Sequence, residues 1–154
     1  MRTLIVVSLV SLVTMLASCG PNCTYQKMNM IPGASWNHDS VFVHEVELTD
    51  SLKVYDLKLE LRHRADYSYA NFFLFMSSTF PNGKTRQDTL ECLLAEPNGR
   101  WLGDGLGDLK TVSIRYRERV SFKTPGTYRF ELAHAMREGT LIGISDIGIS
   151  ICEN

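Results

Sequence analysis

The side chains with the most distinctive spacing lie in a glycine-rich segment, residues 99–108, which reads GRWLGDGLGD. Its aspartates alternate with glycines, so carboxylate and freed carbonyl oxygens could together bind calcium. The spacing lacks the distal glutamate of a calcium loop, however, and differs from the glycine spacing of a nucleotide-binding turn. The sequence therefore favours a tight connection between strands, in which glycines supply positive φ angles and the tryptophan closes one end of the fold. The residues of this candidate binding or structural loop are Trp101, Gly103, Asp104, Gly105, Gly107 and Asp108.

Other reactive side chains are scattered along the chain. Of the histidines, His38, His44, His63 and His134, the alternating pattern around His44 and His63 predicts that both face water. A metal site would need two or three histidines to converge, which this spacing does not indicate. The chain has no Gly-x-Ser-x-Gly motif, and no spacing of its aspartates singles out a carboxylate pair for acid–base chemistry. We therefore predict a protein that is not an enzyme and that uses no metal and no cofactor.

Cys19 is the residue for which the sequence predicts a covalent modification. It follows Arg2 and an apolar run, residues 4–16, that is shorter than the roughly 20 apolar residues of a membrane span. Residues 16–19, LASC, resemble the lipobox of bacterial lipoproteins, in which a diacylglycerol is attached to the cysteine before cleavage. We predict that residues 1–18 are a removed signal peptide and that Cys19 carries the lipid. The alternative is a buried or disulfide-bonded Cys19 beside an uncleaved anchor.

The residues after Cys19 indicate where a lipoprotein would reside. Lipoproteins with Asp at the next position tend to stay in the inner membrane, whereas here that residue is Gly20. The segment that follows also lacks the acidic cluster that resembles a surface-export signal. We predict an anchor in the outer membrane, facing the periplasm, with residues 19–32 as the lipidated N-terminus and a polar tether.

Composition limits the class of protein. The chain has 44% hydrophobic and 21% charged residues and a net charge of −1, as expected for an ordinary globular domain. A nucleic-acid-binding surface would need a concentration of positive charge, so we predict no nucleic-acid partner.

The three other cysteines leave the disulfide state open. Any one disulfide among Cys23, Cys92 and Cys152 would leave one thiol unpaired. Cys92 and Cys152 lie in apolar runs, where a free cysteine behaves as a small hydrophobic residue. Cys23 is predicted to be only part of the tether.

The remaining chain alternates apolar and polar residues with the period of two that is typical of strands. The run at residues 71–76 is continuously apolar and predicts a strand buried on both faces, and residues 133–138 are the best candidate for a helical turn. Asn-Gly and Pro-Gly turns separate the segments. We predict an all-β, antiparallel, jelly-roll-like β-sandwich of seven to nine strands that forms a single domain, residues 33–154. The predicted strands lie within residues 40–48, 57–62, 71–76, 89–95, 112–117, 127–132, 141–144 and 147–151.

Several aromatic residues fall near predicted turns or strand ends. An exposed cluster of them could stack against sugar rings, but a sandwich of this size needs its aromatic side chains for packing, and we expect packing. These residues are Trp36, Tyr67, Tyr69, Phe80 and Trp101.

Three blocks, taken in order behind the lipobox, resemble a known family. The first is residues 67–75, the second is residues 99–108 with its W-x-G-x-G-x-G-D pattern, and the third joins residues 125–130 with 136–148. Together they are similar to the gliding-motility lipoprotein GldH family of Bacteroidetes, over nearly the whole chain after Cys19. The resemblance implies a lipoprotein needed for gliding, a process whose machinery is connected with type IX secretion, and it implies no catalytic residues.

These observations lead to two functional hypotheses. The first is an outer-membrane lipoprotein that acts as a non-enzymatic component of a gliding-motility or type IX secretion-associated envelope complex. Its partners would be the membrane, through the lipid, and envelope proteins of that machinery. The alternative is a periplasmic glycan- or peptide-binding module, in which Trp101 would contribute to binding.

Overall fold

The computed structural model describes residues 22–105 and 107–154. The predicted signal peptide and Cys19 lie outside the described residues. Ten strands and one short 3-10 turn, Pro32–Ala34, make up the regular structure of the described chain. The strands are β1 Cys23–Met30, β2 Ser35–Asn37, β3 Phe42–Leu48, β4 Tyr55–Arg64, β5 Asn71–Thr79, β6 Thr85–Leu93, β7 Leu109–Val120, β8 Gly126–His134, β9 Thr140–Ile142 and β10 Ile144–Glu153.

The eight long strands form two four-stranded antiparallel sheets. The first sheet has the order β1-β10-β4-β7 and the second has the order β3-β8-β5-β6, while β2 and β9 form a separate short pair. When β2 and β9 are left out, the remaining strands can be counted from one to eight along the chain. The first sheet then has the order 1-8-3-6, and the second has the order 2-7-4-5. This is the strand order of a jelly roll, so the predicted fold class is confirmed. Two strands, β1 and β2, were not predicted.

The core lies between the sheets and follows from the alternation of the sequence. On β4 the side chains of Leu57, Leu59 and Leu61 point inward, and on β5 those of Phe72 and Leu74 do so. Each such side chain contributes roughly 1.5–3 kcal/mol when removed from water, so the aligned rows of the two sheets hold the sandwich together. Among the described residues, no helix has the length and apolar character needed to cross a membrane.

Strand β5 differs from its prediction in one respect. Its side chains alternate between buried and half-buried positions, so it is not buried on both faces. Phe73 and Phe75 lie half-buried on the outer face of the second sheet, because the structure places one layer, not two, against this strand. The predicted helical turn at residues 133–138 is also wrong, since β8 continues through His134.

The segment predicted as a tether is part of the first sheet from Cys23 onward. Residues 23–30 form the edge strand β1, which pairs with β10 from Cys23 opposite Cys152 to Met30 opposite Asp146. Gly148 permits this pairing, since a Cβ there would lie 2.0 Å from the carbonyl oxygen of Lys27. Backbone hydrogen bonds to β10 hold β1 in the sheet. Most of its side chains are polar, so the sequence of this segment did not predict a strand.

A disulfide joins Cys23 to Cys152 and closes the pairing of β1 with β10. Cys23 is therefore not simply tether, and Cys152 is not a free thiol. Cys92 is free and buried, and burial raises the pKa of its thiol to about 12.

Candidate functional site

Trp101 lies half-buried at one end of the sandwich. Its backbone forms an isolated bridge with Ala95, and its ring lies 4.7 Å, centroid to centroid, from that of His63. The ring is thus a packing element at the end of the fold, and this position does not favour stacking on a sugar.

Close backbone contacts require glycine at two positions of the loop. A Cβ on Gly103 would lie 2.2 Å from the carbonyl oxygen of Thr111, and one on Gly105 would lie 2.0 Å from that of Leu109. Between them, Asp104 exchanges two backbone hydrogen bonds with Thr111, at 3.0 and 2.8 Å. The loop is therefore pressed against the start of β7. Gly107 has open space around it and a φ of 64°, which glycine adopts without strain.

The two loop carboxylates point to solvent. Asp104 and Asp108 are both exposed, and Asp108 uses its backbone carbonyl to accept a hydrogen bond from Ala65. Within residues 22–105 and 107–154, no group of three histidine, cysteine, aspartate or glutamate side chains is placed to hold a metal ion. The geometry gives no support to the calcium alternative.

The prediction that His44 and His63 face water is wrong. Both are buried, because β3 and β4 turn these positions toward the interior of the sandwich. The hydroxyl of Tyr25 and Nδ1 of His44 lie 3.0 Å apart and share a hydrogen bond. Burial, aided by the charge of Lys27, lowers the pKa of His44 to about 4.

Burial also lowers the pKa of the other two histidines that lie inside the fold, His63 and His134. Nδ1 of His63 donates to the carbonyl oxygen of Arg64 at 2.9 Å, and burial lowers the pKa of His63 despite this bond. His134 is buried edge-on against Trp36, with ring centroids 5.5 Å apart, and burial lowers its pKa as well. These histidines belong to the hydrophobic core, and the structure does not bring them to one point.

A cavity of about 290 Å³ opens between the two sheets at the edge formed by β6 and β7. These two edge strands belong to different sheets and do not pair, so the sandwich is open along this side. Leu57, Ser78, Val120 and five aromatic rings line the interior. The rings are those of Phe80, Tyr116, Phe122, Tyr128 and Phe130.

The aromatic walls of the cavity are fixed in place. The ring of Tyr128 lies edge-on to those of Phe80 and Phe122, at centroid distances of 5.7 and 4.7 Å. Its hydroxyl donates to the carbonyl oxygen of Thr124 at 2.8 Å, which satisfies the polar end of the side chain. The cavity is therefore a preformed space with mostly apolar walls.

Charged side chains stand at the mouth of the cavity. Asp88 accepts hydrogen bonds from Arg86 at 2.7 Å, from Arg117 at 3.3 Å and from the hydroxyl of Tyr116 at 2.5 Å. Burial alone would raise the pKa of Asp88, but the hydrogen bonds from Tyr116 and Arg86 outweigh burial and lower it. One carboxylate thus faces two guanidinium groups, and the mouth carries a net positive charge.

The sequence of the described domain matches one family over almost its whole length. The family described as "GldH lipoprotein" matches residues 23–151, from the first residue of β1 nearly to the end of β10. The chain belongs to the GldH lipoprotein family. The resemblance stated from the sequence is thereby confirmed, and the GldH match covers both sheets of the sandwich.

Two curated GldH relatives are similar over most of their length. The gliding motility lipoprotein GldH homolog of Christiangramia forsetii is 38% identical over 146 residues, covering 90% of this chain and 89% of the relative. The gliding motility lipoprotein GldH of Flavobacterium johnsoniae is 34% identical over 144 residues, covering 89% of each.

Sequence reasoning located the loop but missed the cavity. Trp36 and Tyr67 are buried, and Phe80 and Trp101 are half-buried, so these four rings pack as expected, while Tyr69 is 36% exposed. The cavity residues come from five different strands and the segments next to them. The charged residues Arg86 and Asp88 on β6 were the local indication of the cavity mouth. Such pairs are common on exposed strands, so they did not single out this site.

Proposed function

We propose that the protein is an outer-membrane lipoprotein, anchored through a lipid on Cys19, that acts as a non-enzymatic component of a gliding-motility or type IX secretion-associated envelope complex. Membership of the GldH lipoprotein family supports a lipid-anchored protein of the cell envelope. The names of both relatives refer to gliding motility, which favours that process. The lipobox at residues 16–19 and the glycine at position 20 favour the outer membrane.

The position of β1 gives this proposal its strongest structural support. β1 starts at Cys23, four residues after Cys19, and is fixed there by its disulfide to Cys152. Four residues reach at most about 14 Å when fully extended. A lipid on Cys19 would therefore hold the sandwich against the bilayer. That position suits a protein that assembles with membrane-embedded partners.

The buried polar groups support a structural role over a catalytic one. Glu60 is the most deeply buried carboxylate of the described chain, and it accepts hydrogen bonds from Ser113 at 3.1 Å and from Ser150 at 2.6 Å. These bonds tie β4 to both of its neighbours in the first sheet. The carboxylate is thus engaged in holding strands together.

Replacement of Cys19 tests the anchor. With Cys19→Ala, we expect an unprocessed precursor that stays with the inner membrane, because lipidation precedes cleavage at a lipobox. The matched control is Asn22→Ala, at an exposed position before β1, which should be processed and fractionate with the outer membrane as the unchanged protein does. Mass spectrometry of the mature N-terminus gives the direct measurement. Cleavage elsewhere, or an unmodified Cys19 at the N-terminus, would contradict the anchor and the localisation.

Cross-linking in intact cells tests membership of an envelope complex. We expect the same envelope proteins to be recovered in repeated purifications of the full-length protein, and fewer of them with Cys19→Ala. Deletion of the gene should impair gliding or secretion in a host that shows these activities. Recovery of a monomer without partners, together with unchanged gliding and secretion, would refute the proposed role.

A further inference from the structure

We propose that the cavity between the two sheets binds a single hydrocarbon chain of about ten carbons that ends in a carboxylate, that is, a medium-chain fatty acid. This inference goes beyond the proposed role in an envelope complex and does not depend on it. It rests on the size of the cavity, the chemistry of its walls and the charge at its mouth.

The size of the cavity sets the length of the chain. A volume of about 290 Å³ holds roughly ten groups the size of a water molecule or a methylene, at ~30 Å³ each. This is the lower end of the range of small-molecule sites. A chain of about ten carbons therefore fills the space, and longer chains would extend into solvent.

The walls favour an apolar ligand. The side chains of Leu57, Val120, Phe122 and Phe130 present carbon atoms to the cavity. The hydroxyl of Tyr128 is directed to the carbonyl oxygen of Thr124 and so is satisfied within the protein. Water in such a space has few polar partners, and an apolar chain gains free energy by replacing it.

The mouth favours an anionic head group. Arg86 and Arg117 both line the cavity and share one carboxylate, that of Asp88. Arg117 is 40% exposed and lies over the ring of Tyr116, with its guanidinium carbon 5.0 Å from the centroid. Its planar group can bind a second carboxylate in two-point fashion while it remains on Tyr116. A chain inserted from the β6–β7 edge would place its head group at these two arginines.

A series of fatty acids tests the hydrocarbon part of the proposal. The chain from residue 20 onward contains all ten strands and the disulfide, so it retains the complete core and can be studied without detergent. Hexanoate, octanoate, decanoate and tetradecanoate are titrated into it by calorimetry, each below its micelle concentration. We expect binding to tighten about fourfold per methylene, as ~0.8 kcal/mol per buried methylene converts, up to decanoate and to change little beyond it. An affinity that does not change with chain length would overturn the proposal.

A charge variant tests the head group. With Arg117→Gln, we expect decanoate to bind about tenfold more weakly, since a charge-assisted hydrogen bond is lost, whereas decanol should be unaffected. The matched control is Arg115→Gln, since Arg115 lies on the same strand, pairs with Glu118 and does not line the cavity. Equal binding of decanoate and decanol, with no effect of Arg117→Gln, would overturn recognition of an anion.

A blocking variant locates the site. Val120 is half-buried and lines the cavity near the end of β7, so Val120→Trp should fill the space and reduce decanoate affinity at least tenfold. An unchanged thermal transition shows that the variant is folded, and Arg117→Gln, at a more exposed position, gives a second measurement. Undiminished decanoate binding by folded Val120→Trp would place the ligand elsewhere and overturn the assignment.

Discussion

Replacing Cys23 and Cys152 with alanine removes the covalent link between the first and last strands of the described chain. The two cysteines are separated by 129 positions. The chain-entropy relation for a closed loop of that length gives about 5 kcal/mol of unfolding free energy at 25 °C. Small domains are typically stable by ~5–15 kcal/mol, so this is a large share of the total. We therefore expect the double variant to be folded only marginally.

The position of the disulfide adds a local consequence. β1 is an edge strand with one hydrogen-bonded neighbour, β10, and the disulfide lies at the start of their pairing. Without it, the first residues of β1 can separate from β10 at little cost, because edge strands open more easily than central ones. Hydrogen exchange should therefore increase first at residues 23–26 and only later in β4.

Urea unfolding of the chain from residue 20 onward measures the effect. Trp36 is fully buried, so its fluorescence reports loss of the core. The double variant should unfold at a lower urea concentration than the oxidised protein, and the reduced, unsubstituted protein should coincide with it. Reductant should leave the double variant unchanged, which controls for effects on Cys92. Unfolding free energies of the variant and the oxidised protein that agree within about 0.5 kcal/mol would refute the loop-closure reasoning.

Three further predictions concern the buried histidines, the loop and the core. Burial holds the pKa of His44 at about 4 against ~6.5 in the unfolded chain, so the unfolded chain takes up a proton first on acidification. The contribution of His44 to the free energy of unfolding should then be largest above pH 6.5 and fall by about 3 kcal/mol toward pH 4. His44→Gln should make the profile less steep in urea titrations, and the lowered pKa values of His63 and His134 should leave a slope of the same sign. Gly105→Ala should destabilise the domain by about 1–3 kcal/mol, because its Cβ would meet the carbonyl of Leu109 at 2.0 Å. Gly139→Ala, with nothing within 4 Å, should leave the thermal transition unchanged, and equal transitions for the two would contradict this reasoning. Trp36→Ala should cost about 3–5 kcal/mol in urea unfolding, since its ring is wholly buried, and a loss below 1 kcal/mol would show that the site collapses around the gap.

A candidate site could be predicted from the sequence only where its residues lie close together along the chain. The loop at residues 99–108 was found because glycines and aspartates concentrate in ten consecutive positions. The cavity was not, because Leu57, Arg86, Arg117 and Phe130 come from separate strands that meet only when the sheets pack. The inward orientation of His44 could have been predicted, because His44 alternates in phase with Val46 and Leu48 on one face of β3. The polar character of histidine pointed the other way and proved to be the weaker signal.

The sequence by itself determined the all-β class, eight of the ten strands and membership of the GldH family. These properties follow from alternation, turn residues and motif order, which are read within short stretches of the chain. Only the tertiary structure decided that residues 23–30 join the first sheet, that Cys23 bonds to Cys152, and that the β6–β7 edge opens onto a cavity. Each of these depends on partners far apart along the chain. An edge strand held by backbone hydrogen bonds needs no apolar pattern of its own, so its place is set by the neighbour that it meets.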